Sequence, residues 1–121
     1  MNLSGEAIGE LLQHYRVDLS RLLIVYDDIT LPLGKMRIRR SGSSGGQKGI
    51  QSIIDTVGGE NINRLRIGVC QGHLPQDYTE YVLADFSQQE KKILTGVFDR
   101  SVQAIDTILF DGIDRAMTLY N

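Results

Sequence analysis

Cysteine is nearly absent from this chain: Cys70 is the only one in 121 residues, which excludes an intrachain disulfide. A single thiol suits a reducing, cytosolic setting. Cys70 follows an apolar run and reads as a small buried filler. No apolar stretch is long enough to cross a membrane, and the first residues show no signal-peptide pattern. No repeat, low-complexity tract or linker interrupts the chain, so its length predicts one domain, residues 1–121, with a real core.

One stretch lacks charge of one sign. Between Asp28 and Asp55 there is no acidic residue, while Lys35, Arg37, Arg39, Arg40 and Lys48 all fall in that gap. The net charge of −2 gives the whole chain no pull toward nucleic acid. A local basic patch is an electrostatic footprint for phosphate. On a strand edge the same residues simply discourage pairing with another strand. Charge alone leaves both readings open.

The rest alternates helix and strand. Residues 3–15 place Ile8, Leu11, Leu12 and Tyr15 at helical spacing, with Ser4 near the start. RLLIVYD (21–27) is a short apolar run of the kind a buried strand has. TLPLG (30–34) predicts a turn around Pro32 and Gly34. KMRIRR (35–40) alternates as a strand, with Met36 and Ile38 on one face and Arg37 and Arg39 on the other. Residues 42–46 predict a loop, and 49–57 a helix stopped by Gly58 and Gly59. RLRIGVC (64–70) alternates again, and QGHLPQD is loop. Residues 78–86 fit either a short helix or a strand. Ser87 and Glu90 form a capping box, so a helix runs from there to about Phe110, and a last short one follows Asp111. Strands interleaved with helices predict an α/β fold or a mixed sheet with helices packed on it.

RIRRSGSSGGQKG (37–49) joins a strand to a helix through glycines, a recurring phosphate-binding layout. The details do not match a nucleotide site. A P-loop needs a hydroxyl residue after its lysine, and Lys48 is followed by Gly49. The glycines at 42, 45 and 46 also miss the dinucleotide spacing. Taken alone, the stretch reads as a structural glycine turn.

It is not alone. MNLSG (1–5), IVYDDITLPLGKMRIR (24–39), GSSGGQKGIQSII (42–54), RLRIGV (64–69), YVLADF (81–86) and DGIDRAM (111–117) occur in this order. Together they resemble the bacterial type of peptidyl-tRNA hydrolase along the whole chain. The resemblance implies a mixed sheet sandwiched by helices, truncated at its N-terminus. MNLSG is internal in that family. The preceding part carries the first strand, the asparagine of a G-N-P turn and the catalytic histidine. The family cleaves the ester joining a peptide to the 3′ ribose of tRNA, and so recycles tRNA. A histidine activates water, a carboxylate supports the histidine, and asparagines place the reacting groups. No cofactor and no metal are implied.

By that resemblance Asp27 matches the carboxylate supporting the histidine, and Asn2 the substrate-positioning asparagine; by itself Asn2 also reads as a helix N-cap. Asp28 should face the other way, as a structural or solvent-facing group. Lys48 stands where the family has a substrate-contacting asparagine. It offers donors and no acceptor, so it cannot copy an amide. Arg37, Arg39, Arg64 and Arg66 fall on basic positions that would meet the tRNA acceptor stem. Solvated arginines on strand faces are the plain alternative. Residues 78–86 resemble the family's cover over the cleft. The two histidines, His14 and His73, lie outside the family's catalytic motifs.

Three readings follow. The chain is the C-terminal part of a cytoplasmic peptidyl-tRNA hydrolase, inactive by itself. Or it is an RNA-binding descendant without catalysis, like relatives of the fold that assist intron splicing. Or it is a half that needs a complementary chain. The family is usually monomeric, whereas a truncated sheet with an unpaired edge would favour self-association.

Overall fold

The computed structural model describes residues 3–72 and 86–121. Contacts gather into two compact units. One comprises Met1–Ile24 with Arg39–Arg64, the other Val25–Ile38 with Leu65–Asn121. Helix α1 spans Ser4–Tyr15, α2 Lys48–Val57, α3 Gln88–Asp111 and α4 Ile113–Tyr120. Strand β1 is Leu23–Pro32, β2 Met36–Arg39 and β3 Asn63–Cys70, in the sheet order β1–β3–β2.

In the first unit α1 packs on α2. The helical spacing in residues 3–15 is confirmed, but only half of its apolar stripe packs: Ile8 and Leu12, on the face of Gly5, are half-buried, whereas Leu11 and Tyr15 are 52% and 67% exposed. The buried residue of α1 is Gly5. A side chain there would run into the Ser52 carbonyl oxygen and Thr56 Oγ1, and the Gly5 N–H donates to Ser52 Oγ at 2.9 Å. Glycine is what lets the two backbones approach this closely. Helix α2 buries Ile50, Ile53 and Ile54 on one face. It begins at Gln47, whose side chain accepts from the Ile50 N–H at 2.8 Å, and ends at Gly58 in the left-handed conformation.

In the second unit β1 and β3 end together, the Leu33 N–H donating to the Cys70 carbonyl at 3.0 Å, so the two strands run parallel. Strand β2 leaves from that end, with the Lys35 carbonyl accepting from the Gly68 N–H at 2.8 Å, and runs back the other way. The sheet is therefore mixed. Its core holds Ile29, Leu31, Met36, Ile38, Leu65 and Ile67, together with Leu94, Val97 and Ala104 of α3 and Ala116 of α4. Met36 and Ile38 share the buried face of β2, as their alternation predicts. Ser101 of α3 lies against Met36, its Oγ 3.8 Å from the sulfur. The capping box is complete: Ser87 N–H donates to Glu90 Oε1 at 2.8 Å, and Glu90 N–H to Ser87 Oγ at 3.2 Å. Gln71 Nε2 donates to Glu90 Oε2 at 2.7 Å, tying the residue after β3 to the start of α3.

Three sequence expectations need correction. The turn predicted at 30–34 is confined to Leu33 and Gly34, because β1 continues through Pro32. Proline is tolerated there because β1 is the outer strand of the described sheet and needs no donor on its open side. Burial along β3 does not alternate, since Arg64, Leu65, Ile67 and Gly68 are all buried in the central strand. Cys70 is half-buried rather than a core filler. One feature gave no sequence signal: Asn121 caps β2, its side chain accepting from the Ile38 N–H at 2.7 Å and donating to the Ile38 carbonyl at 3.0 Å.

Two stability predictions follow from this packing. Gly5→Ala should lower stability by about 2 kcal/mol, the usual penalty for overpacking, whereas Gly59→Ala, where a side chain meets nothing within 4 Å, should leave it unchanged. Thermal denaturation of the two variants reads the difference. Asn121→Ala should lower stability by about 1 kcal/mol and speed amide exchange at Ile38, measured by NMR.

Candidate functional site

β1 presents two adjacent aspartates to opposite faces, because successive strand side chains alternate. Asp27 is exposed and Asp28 is 7% exposed. Asp28 accepts from the Thr30 N–H at 2.8 Å and the Thr30 hydroxyl at 2.6 Å, both at Oδ1. Its other oxygen takes a 2.7 Å ion pair from Arg66 Nε on β3. Arg66 Nη2 also reaches Thr30 Oγ1 at 3.4 Å. Burial pushes the Asp28 carboxyl upward, but the hydrogen bonds from Thr30 and Arg66 and the arginine's charge outweigh it. The result lies below the usual aspartate value of 3.8. Asp28 is therefore structural, as its sequence position implies, and faces an arginine rather than solvent.

The basic residues have separate fates. Arg37 is half-buried, and its Nη1 donates to the neighbouring Met36 carbonyl at 2.9 Å. Arg39 ends β2 and is exposed. Arg66 keeps 24% of its side chain exposed while paired to Asp28. Arg64 overturns its expectation as a contact for the acceptor stem: it is 2% exposed. Its guanidinium donates to the backbone carbonyls of Ser43, Glu60 and Ile62. It is neither a solvated arginine nor a surface that an RNA phosphate can touch. An R-x-R strand pattern carries no sign of this, because the acceptors are main-chain oxygens, two on the segment just before β3 and one, Ser43, 21 residues away.

Lys48 is exposed at the first residue of α2. There its charge adds to the positive end of the helix dipole, an arrangement that favours an anion. Lys48, Gln51, Ser52, Asp55 and Thr56 line a groove of about 350 Å³ in the first unit. The preceding glycine loop turns much of its polarity inward. Ser43 and Ser44 hydroxyls accept from the N–H groups of Gly45 and Gly46 at 3.4 and 3.2 Å. Gly45 and Gly46 have φ of 59° and 86°, the left-handed region glycine occupies without strain. A structural glycine turn, as the sequence by itself reads, describes it better than a nucleotide cradle.

Asn2, His73 and residues 78–85 lie outside the described residues. His14 is exposed near the end of α1, with its ring edge-on to Tyr15 at 4.7 Å. Among the described residues no group of three or more His, Cys, Asp or Glu is placed to hold a metal ion. No described helix is long and apolar enough to cross a membrane.

Comparison with known proteins adds the lineage. The family model described as peptidyl-tRNA hydrolase matches residues 1–121. The chain belongs to the peptidyl-tRNA hydrolase family. It is 42% identical over 121 residues to the peptidyl-tRNA hydrolase of Thermotoga sp. (strain RQ2), a match covering all of this chain and 65% of that relative. The corresponding protein of Carboxydothermus hydrogenoformans is 45% identical, with 64% of its length covered. The solved peptidyl-tRNA hydrolase of Acinetobacter baumannii superposes with a TM-score of 0.88 at 24% identity, over all of this chain and 63% of that one. A peptidyl-tRNA hydrolase crystallised with n-propanol gives 0.89. The fold is thus that of peptidyl-tRNA hydrolase, and the chain spans just under two thirds of the length of these relatives.

The Asp28–Arg66 pair has a pH signature. Because the folded carboxyl lies below its unfolded value, its contribution is full above about pH 4 and is lost as pH falls through the folded value. Asp28→Asn should lower stability by about 2 kcal/mol near neutrality, and by progressively less below about pH 4. Chemical denaturation at a series of pH values measures that difference.

Proposed function

We propose that this chain carries the acceptor-stem-binding and carboxylate-bearing part of a peptidyl-tRNA hydrolase. The reaction is hydrolysis of the ester between a peptide and the 3′ ribose of tRNA, in the cytoplasm, without metal or organic cofactor. The family match over residues 1–121 carries this reading. In it Asp27 is the carboxylate that orients the histidine base, and its exposure beside the buried Asp28 supports that role. Asn2 and Lys48 contact the substrate near the ester. Arg37, Arg39 and Arg66 meet tRNA phosphates, which position the RNA without reading its sequence. Arg66 does so with the part of its guanidinium that Asp28 leaves exposed.

The 121 residues alone hydrolyse no ester in this reading. Their two histidines, His14 and His73, both fall outside the family's catalytic motifs. Lys48 favours a second reading, RNA binding without catalysis, since a lysine suits phosphate better than it replaces an amide.

Two assays test this. The folded chain should release no peptide from labelled peptidyl-tRNA above background; turnover that disappears in Asp27→Asn would mean that a substitute base exists. It should bind acceptor-stem RNA with an affinity that falls with salt. Arg39→Ala should reduce the slope of log affinity against log salt by about 1. A chain that is folded and binds no RNA overturns both readings.

A further inference from the structure

We propose that Arg64 is a positioning residue: from beneath the 42–46 loop it sets the start of α2, and with it the place of Lys48. This rests on the reading of Lys48 as an RNA or substrate contact.

A guanidinium is expensive to bury, and core packing alone would be served by an aliphatic side chain. Arg64 is nevertheless among the largest fully buried side chains of the chain. Its planar fork reaches two segments at once. Nη1 donates to the Ser43 carbonyl at 2.8 Å, Nη2 to the Glu60 carbonyl at 3.0 Å, and Nε to the Ile62 carbonyl at 3.2 Å. The Gly42 N–H joins the same junction, donating to Glu60 O at 3.3 Å. Arg64 thus fastens the segment after β2 to the segment before β3.

From there the contacts lead to Lys48. Ser44, next to the bonded Ser43, accepts from the Gln47 N–H at 3.1 Å. Gln47 caps α2 through the Ile50 N–H, and Lys48 is the first residue of that helix. A shift at Ser43 therefore passes through one turn of hydrogen-bonded loop to the lysine. Only arginine fits this task. A lysine ammonium is a point charge on a flexible stem and cannot hold three carbonyls along one plane.

The test is Arg64→Lys in the 121-residue chain, with the α3 amide resonances reporting the fold. Amide exchange across 42–48 should accelerate while α3 is unchanged. Affinity for an acceptor-stem RNA hairpin should fall several-fold. Lys48→Ala should weaken binding in the native background and add nothing in the Arg64→Lys background. A folded Arg64→Lys chain with native RNA affinity, or an equal loss from Lys48→Ala in both backgrounds, overturns the proposal. Gly42→Ala strains the loop while keeping Arg64, because the backbone there has φ of 147°, which a side chain rarely adopts, whereas the added carbon would meet Nη1 at an ordinary contact of 3.9 Å. It should reproduce the loss of affinity even where Arg64→Lys fails to fold, and native affinity in a folded Gly42→Ala chain whose loop amides have shifted overturns the proposal. Absence of RNA binding by the native chain defeats the functional reading instead. Loop exchange in the two variants then still decides whether Arg64 holds the loop.

Discussion

A strand turns successive side chains to opposite faces, and β1 applies that rule to two identical neighbours. Asp28 goes inward to a salt bridge and two bonds from Thr30, while Asp27 goes outward. The chemistry proposed for Asp27 depends on this division. A carboxylate that already satisfies an arginine has little capacity left to orient a second partner, whereas its exposed neighbour keeps its acceptor sites. The Asp28–Arg66 pair also joins the outer strand of the described sheet to its central one. The strand carrying Asp27 is thereby held at the carboxylate next door.

Buried charge also reshapes the basic patch. By sequence, Arg64 and Arg66 are two cations on one strand. In the structure the first is turned into main-chain hydrogen bonds and the second is half neutralised. What remains outward is the stretch before α2: Arg39, Arg40 and Lys48 in the first unit and Lys35 in the second are exposed, and Arg37 in the second is half-buried. A contact surface has to be drawn from where guanidinium groups end: Arg64 keeps its charge, but buried against main-chain carbonyls it offers a phosphate no direct hydrogen bond.

Local rules were legible wherever the deciding contacts lie close in sequence. The Ser87–Glu90 capping box, the Gly58 stop of α2 and the buried pair Met36 and Ile38 each need only a few neighbouring residues, and each is found in the structure. The motifs along the chain also named the family. Contacts between distant segments were not legible. Asn121 pairs with Ile38 across 83 residues, and Arg64 reaches Ser43 across 21. Gly5 takes its meaning from Ser52 and Thr56 on another helix. The apolar stripe on α1 did not tell its half-buried members, Ile8 and Leu12, from its exposed ones, Leu11 and Tyr15, because the close approach through Gly5 decides which side packs.

Periodicity, caps and motif order in the sequence by themselves determined the helices and strands, the family, and the identities of the acids and bases that a site would use. These depend on backbone geometry and on residue type, which the sequence states directly. The tertiary structure alone decided which charges remain available. Whether an arginine meets solvent, a carboxylate or three carbonyl oxygens depends on what distant segments bring beside it. Desolvation and hydrogen bonding at that place, rather than the residue's name, set its role.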